Sequence, residues 1–286
     1  CTLVGPDPKL ISATRDSGTV PPAAVGTGRL AILDRSRRAD SGMRTRIGTW
    51  RSVSENLAAF CNRSAMTWDN RGRLWVATMP SYPQWRPGDA KPDDKILILE
   101  DTDGDGRADK QTIFARGLHL PLSFEFAPEG VYVPQSSHLV LFRDRNGDGQ
   151  ADSSEVILSG FDDHDTHHAI SAFRADPSGA FYMAEGTFLH SHVETPYGVE
   201  RSTNGGFFRY APQRQQLERT LRVSIPNPWG IAFNPAGPAW ISNNHSGTST
   251  VYDGTGALKL TVTLPAATGS TDPSSPTGQV FNASAT

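Results

Sequence analysis

The sequence predicts an all-β fold of repeated four-stranded units, a β-propeller with about five blades. Three observations lead there. The chain of 286 residues carries 27 Gly and 21 Pro, many for a helical protein and ordinary for short strands joined by turns. One hairpin pattern recurs four times, at a spacing of roughly 50 residues. Each copy is followed by a further apolar segment, which gives every unit about four strands.

The hairpin pattern is a short apolar strand, a tight turn ending in Gly, and a second apolar strand. Its copies are Met66 to Ala77 around Gly72, Phe124 to Val133 around Gly130, Ala172 to Ala184 around Gly179, and Ile231 to Ser242 around Gly237. The apolar segments that follow are Ile96 to Leu99, Leu139 to Phe142, Phe207 to Tyr210, and Thr250 to Tyr252. A β-sandwich, the chief alternative, would not repeat its turn so regularly. A fifth unit starts at Pro276 to Phe281, and Arg29 to Asp34 resembles an outer strand. Together these half-units would complete a blade and remove an exposed edge. The count becomes six if the region from Thr45 to Phe60 adds a blade. The expected organisation is a flexible spacer over 1–28 and a single propeller domain over 29–286.

Composition narrows the function classes. The net charge is -3 and 20% of residues are charged, so no basic field points to nucleic acid. No apolar run reaches the about 18 residues that a spanning helix needs. There are two cysteines, Cys1 and Cys61, whose spacing permits a disulfide without proving one. Cys1 could carry the lipid of a mature lipoprotein ahead of a loose Gly/Pro/Thr stretch, which makes that lipid the one expected membrane contact. The bland alternative is an arbitrary start.

Two loops have the spacing of calcium sites. The first offers Asp101, Asp103, Asp105, the carbonyl of Arg107, and Asp109. The second offers Asp144, Asn146, Asp148, the carbonyl of Gln150, Asp152 and Glu155. Oxygens at alternate positions converge on one hard cation, and Gly at the sixth position permits the sharp turn. Glu155 completes the twelve-residue set, whereas the first loop has Thr112 at that place. The second loop is therefore expected to bind more tightly. Both follow strands, so a structural role is expected rather than a helix–loop–helix sensor. The bland alternative is a pair of solvated acidic turns.

Five of the eight histidines fall between His164 and His192. They lie in Asp162 to His168, entering the third unit, and in Glu185 to His192, leaving its first hairpin. Three readings stay open: a transition-metal site of imidazole and carboxylate, a general base oriented by a carboxylate, or polar residues of a solvated loop.

Several runs carry a family resemblance. Ala65 to Val76, Pro80 to Trp85, Lys95 to Gly106, Gly117 to Pro121, Asp165 to His168 and Glu194 to Gly198 resemble the membrane-bound-dehydrogenase-type propellers of planctomycete-like bacteria. These are similar to the soluble sugar dehydrogenases that use pyrroloquinoline quinone. The resemblance implies that His168 is the catalytic base, with Asp165 beside it. It also implies that Asn227, Trp229 and His167 line the cofactor. Pro226 stands where the sugar dehydrogenases have Arg, which removes a cation beside a polyanionic quinone. From Trp229 onward, the runs to Asn244, Gly247 to Gly254 and Ser275 to Asn282 resemble an uncharacterised bacterial family of secreted, NHL-like propellers. No Cys-x-x-Cys-His haem motif is present.

The resulting expectation is an extracytoplasmic, calcium-stabilised propeller acting on a sugar or alcohol with two Ca2+ and pyrroloquinoline quinone. One alternative is a non-catalytic propeller that binds carbohydrate or protein, with Tyr82 and Trp85 as stacking surfaces. The other is a metal-dependent hydrolase, such as a lactonase, with a transition metal at the His cluster.

Overall fold

The computed structural model describes residues 2–3, 12–14, 63–83, 88–221, 228–234, 237–266 and 268–279. Cys1, Cys61, Trp85, Asn227, and the segments 29–34 and 45–60 lie outside them. Among the described residues the regular structure is β-strand, with a single 3-10 turn at Pro212–Arg214. Four sheets have four antiparallel strands each, and none closes on itself. This is the blade architecture of a β-propeller.

The first blade is β3 (Arg63–Trp68), β4 (Leu74–Thr78), β5 (Asp94–Glu100) and β6 (Lys110–Leu118). The second is β7 (Glu125–Ala127), β8 (Gly130–Gln135), β9 (His138–Arg143) and β10 (Ser153–Ser159). The third is β11 (Ser171–Ala175), β12 (Phe181–Glu185), β15 (Gly206–Ala211) and β16 (Gln216–Leu221). Between β12 and β15 it carries an inserted hairpin, β13 (His192–Thr195) with β14 (Gly198–Arg201). The fourth is β17 (Pro228–Phe233), β18 (Ala239–Asn243), β19 (Thr248–Tyr252) and β20 (Leu258–Thr263).

A last sheet joins both ends of the chain. In it β21 (Pro276–Gln279) pairs with β2 (Ser12–Thr14), which pairs with β1 (Thr2–Leu3). Its two N-terminal strands come from within 1–28, while 29–34, the segment that sequence pairs with this strand, is outside the described residues.

The repeated hairpins form because their turns are locally determined. Asp69, Asp176 and Asn234 each close a turn by accepting, at the main-chain O, the N–H of the Gly three residues on, at 3.1, 3.2 and 2.8 Å. That Gly adopts positive φ in all three, +79, +83 and +111°, which glycine does at little cost. The Asp side chains reinforce the turn. Asp176 Oδ1 accepts the Ser178 and Ala180 N–H groups, and Oδ2 accepts Arg209 Nε–H at 2.8 Å. Burial opposes its ionisation, but the Ser178 and Arg209 bonds prevail and hold the carboxyl below its ordinary value.

The chain divides into two compact units. One contains 1–19, 122–143 and 154–286; the other contains 20–121 and 144–153. Within the first unit the leading strands β7, β11, β17 and β21 are neighbours in succession, as the inner strands of adjacent blades are. Its largest core cluster takes Tyr132, Leu139 and Leu141 from the second blade and Phe173, Phe181, Met183, Phe208 and Tyr210 from the third. A second cluster joins Ala184 and Phe207 of the third blade to Ile231, Ile241 and Tyr252 of the fourth. In the other unit Leu74, Val76 and Leu99 form a core with Trp68 and Ala108. Truncating a ring such as Phe208 to Ala costs about 3–5 kcal/mol.

Candidate functional site

The third blade gathers the two histidine-rich segments at one end. His168 lies just before β11 and Glu185 ends β12, so the antiparallel pairing of Ser171 with Ala184 puts them side by side. Gly186 N–H donates to the His168 main-chain O at 2.8 Å. Gly is required there: a Cβ at 186 would stand 2.6 Å from His168 Cβ and Cδ2.

Within this clamp one carboxylate holds two imidazoles. Asp165 Oδ1 meets His167 Nδ1 at 2.8 Å, and Oδ2 meets His168 Nδ1 at 2.8 Å. The donor atoms of Asp165, His167 and His168 lie within 4.8 Å of one another. His168 is 7% exposed; its main-chain N–H also donates to Asp165 O at 2.9 Å. With Nδ1–H given to the carboxylate, Nε2 keeps a lone pair, the arrangement of a general base or of a metal-ligating imidazole.

The ring row continues on both sides. His167 and His168 have centroids 4.2 Å apart, His167 is 6.2 Å from Trp229, and His168 is 6.1 Å from Phe188. The structure thus brings together Asp165, His167, His168 and Trp229. It sends the remaining histidines elsewhere: His164 pairs with Asp162 at 2.8 Å, and the His190 and His192 side chains are exposed. The Asp162 bond pushes the His164 imidazole pKa upward.

A buried polar layer supports the site. Asp162 accepts His190 N–H at 2.7 Å and donates its own N–H to Ser191 Oγ at 2.8 Å. Ser191 Oγ–H donates to Glu185 Oε1. Glu185 is fully buried, and burial raises its pKa against the Ser191 hydroxyl. The sequence alone does not reveal that Gly186 and Phe188 pack beside His168; its one signal is a Gly directly after an apolar strand.

The two Asp-rich loops share one hydrogen-bond skeleton. Asp101 Oδ1 and Oδ2 accept Gly104 and Gly106 N–H at 2.7 and 2.9 Å; Asp144 does the same for Gly147 and Gly149 at 2.7 and 2.8 Å. Asp103 and Asp105 accept the N–H groups two residues on, as do Asn146 and Asp148. Asp109 accepts Thr102 N–H, and Asp152 accepts Arg145 N–H. Asp101, Asp103 and Asp109 bring oxygens within 4.8 Å of one another. Arg107 and Gln150 hold the seventh positions. Glu155 accepts Arg143 Nη2–H at 2.7 Å, so the carboxylate expected to complete the second loop is ion-paired with Arg143.

These blades define a β-propeller protein. The chain belongs to the family described as "Domain of unknown function (DUF7133)", whose model matches residues 59–286. No curated protein is similar to it in sequence. Among solved structures it is similar to a chain of a nidogen/laminin complex, with a TM-score of 0.51, 10% identity, and coverage of 77% of this chain and 69% of that one. It is also similar to a gluconolactonase-family protein (TM-score 0.44, 14% identity, 66% and 58% covered) and to virginiamycin B lyase from Staphylococcus aureus (0.40, 12%, 71% and 56%). The chain spans less than two thirds of those last two. At these identities the likeness concerns the fold. No helix of the described residues is long and apolar enough to cross a membrane.

Proposed function

We propose that this propeller is an extracytoplasmic, calcium-stabilised enzyme in which His168 is the general base for a hydroxyl group of a sugar or alcohol. The observation that carries this is the 2.8 Å contact between Asp165 Oδ2 and the Nδ1 of the buried His168. The carboxylate selects the tautomer with Nε2 free to take a proton, and it stabilises the imidazolium that follows. The regular geometry of the Asp-rich loops supports structural calcium, whose weaker sites suit extracellular concentrations.

The resemblance implies a quinone as oxidant. Among the described residues the pair is flanked by Asp165, Gly186, Phe188 and Trp229, none of them a cation, and in the sequence Pro226 stands at the Arg position. That set does not fit a polyanionic quinone. A second reading has an observation of its own. The clustering of Asp165, His167 and His168 suits a transition metal and with it a metal-dependent hydrolase.

Purified protein separates the readings by elemental analysis, by dye reduction with and without added quinone over a panel of aldoses and alcohols, and by lactone hydrolysis. His168→Asn is expected to abolish whichever turnover is found. A stoichiometric transition metal with lactone hydrolysis selects the second reading. Full turnover by His168→Asn refutes the base, and no turnover of any kind leaves a binding propeller.

A further inference from the structure

Phe188 is an anomaly that folding does not explain. Its φ is +72°, a left-handed conformation that a bulky aromatic residue adopts only under strain. The residue is 64% exposed, so burial of the ring does not compensate. The residues around it fix the conformation. Gly186 N–H is tied to His168 O at 2.8 Å, Leu189 is fully buried, and the Leu189 main-chain O accepts Asn204 N–H at 3.0 Å. A strained backbone held from both sides thus presents an apolar ring to solvent, 6.1 Å from the His168 ring.

The ring stands at one end of a row. Phe188, His168, His167 and Trp229 follow one another at centroid separations of 6.1, 4.2 and 6.2 Å, with interplanar angles of 50, 42 and 54°. Apolar rings therefore flank the two imidazoles. A ligand suited to this row has an apolar face for a phenyl ring to cover and hydroxyl groups at its edge for an imidazole nitrogen to accept. A flexible linear alcohol has no such rigid face.

From this we infer that Phe188 is a substrate platform selecting a pyranose-sized, hydroxylated ring. Its ring covers the C–H face of the sugar while a hydroxyl meets Nε2 of His168. The inference deepens the general-base reading by naming the substrate class, and rests on it for the hydroxyl contact alone. Strain kept at an exposed residue beside a candidate base is the pattern expected where stability has been exchanged for ligand contact.

The test uses Phe188→Gly and Phe188→Leu in the full chain, read by thermal melting and by calorimetric titration with methyl glucopyranoside, with linear sorbitol as comparison. Phe188→Gly is expected to raise the melting temperature, because Gly relieves the positive φ, and to weaken pyranoside binding about tenfold. Phe188→Leu is expected to keep the strain and bind with intermediate affinity. A Phe188→Gly variant that melts lower than wild type shows the ring to be packing and overturns the platform. Unchanged pyranoside affinity, or wild-type protein that prefers sorbitol or binds neither probe, overturns it as well. Failure of the base reading is distinguishable. Pyranoside binding that falls in Phe188→Gly, together with full turnover in His168→Asn, keeps the platform and removes the base.

Discussion

Replacing Gly186 by Ala tests the geometry of the site most directly. A Cβ at this position would meet His168 Cβ and Cδ2 at 2.6 Å and Cγ at 2.7 Å, where ordinary contact begins at 3.4 Å. The imidazole must therefore withdraw by roughly 0.8 Å, the gap between those distances. Gly186 is not in the left-handed region, so the effect is steric and not backbone strain. His168 cannot yield freely, because Asp165 holds both its N–H at 2.9 Å and its Nδ1 at 2.8 Å. Overpacking of this kind costs about 1–3 kcal/mol, which lowers the melting temperature by about 2–10 °C in a chain of this size. A shift approaching 1 Å also costs a positioned group about 100-fold in rate. The assay is a thermal melt paired with the imidazole nitrogen NMR signals, which report the Nδ1–H bond to Asp165. Gly254→Ala is the control, since a Cβ there meets nothing within 4 Å. If Gly186→Ala melts with the wild type and leaves the His168 Nδ1 signal in place, the close packing of Gly186 on the imidazole is wrong.

Two further predictions concern stability. Chelation should lower the melting temperature, because calcium held at 100 times its Kd contributes about 2.7 kcal/mol. Asp103→Asn should reduce that calcium-dependent increment while keeping the acceptor for Asp105 N–H; identical melting in calcium and in chelator would dismiss structural calcium. For Glu185, burial raises the folded pKa above the unfolded one. Its contribution is thus fully present below about pH 4.3 and is lost as pH rises through the raised folded value. Glu185→Gln removes that loss, so the variant should gain on wild type as pH increases from 4 to 8; a difference independent of pH would show that burial does not perturb this carboxyl.

The turns and loops were legible because their determinants are local. Asp or Asn three residues before Gly builds the hairpin turn at Asp69, Asp176 and Asn234 from its own neighbours. Alternating oxygens with Gly at positive φ shape both Asp-rich loops in the same way. The inserted hairpin His192–Arg201 was not legible, since its four-residue strands are short and largely exposed. The ion pair of Glu155 with Arg143 also escaped, because it depends on the pairing of β9 with β10.

By itself, then, the amino-acid order determined the turns of the repeated hairpins, the skeleton of the Asp-rich loops, and the closeness of Asp165 to His167 and His168. Each depends on residues a few positions apart, which meet under any global arrangement that keeps the turn. Only the tertiary structure decided which histidines gather with Gly186, Phe188 and Trp229. Pairing of β11 with β12 brings Gly186 against His168 and leaves His190 and His192 in solvent. The same pairing aims the strained ring of Phe188 at the candidate base, from twenty residues further along the chain. Contacts between residues that far apart in sequence exist only once strands have chosen their register.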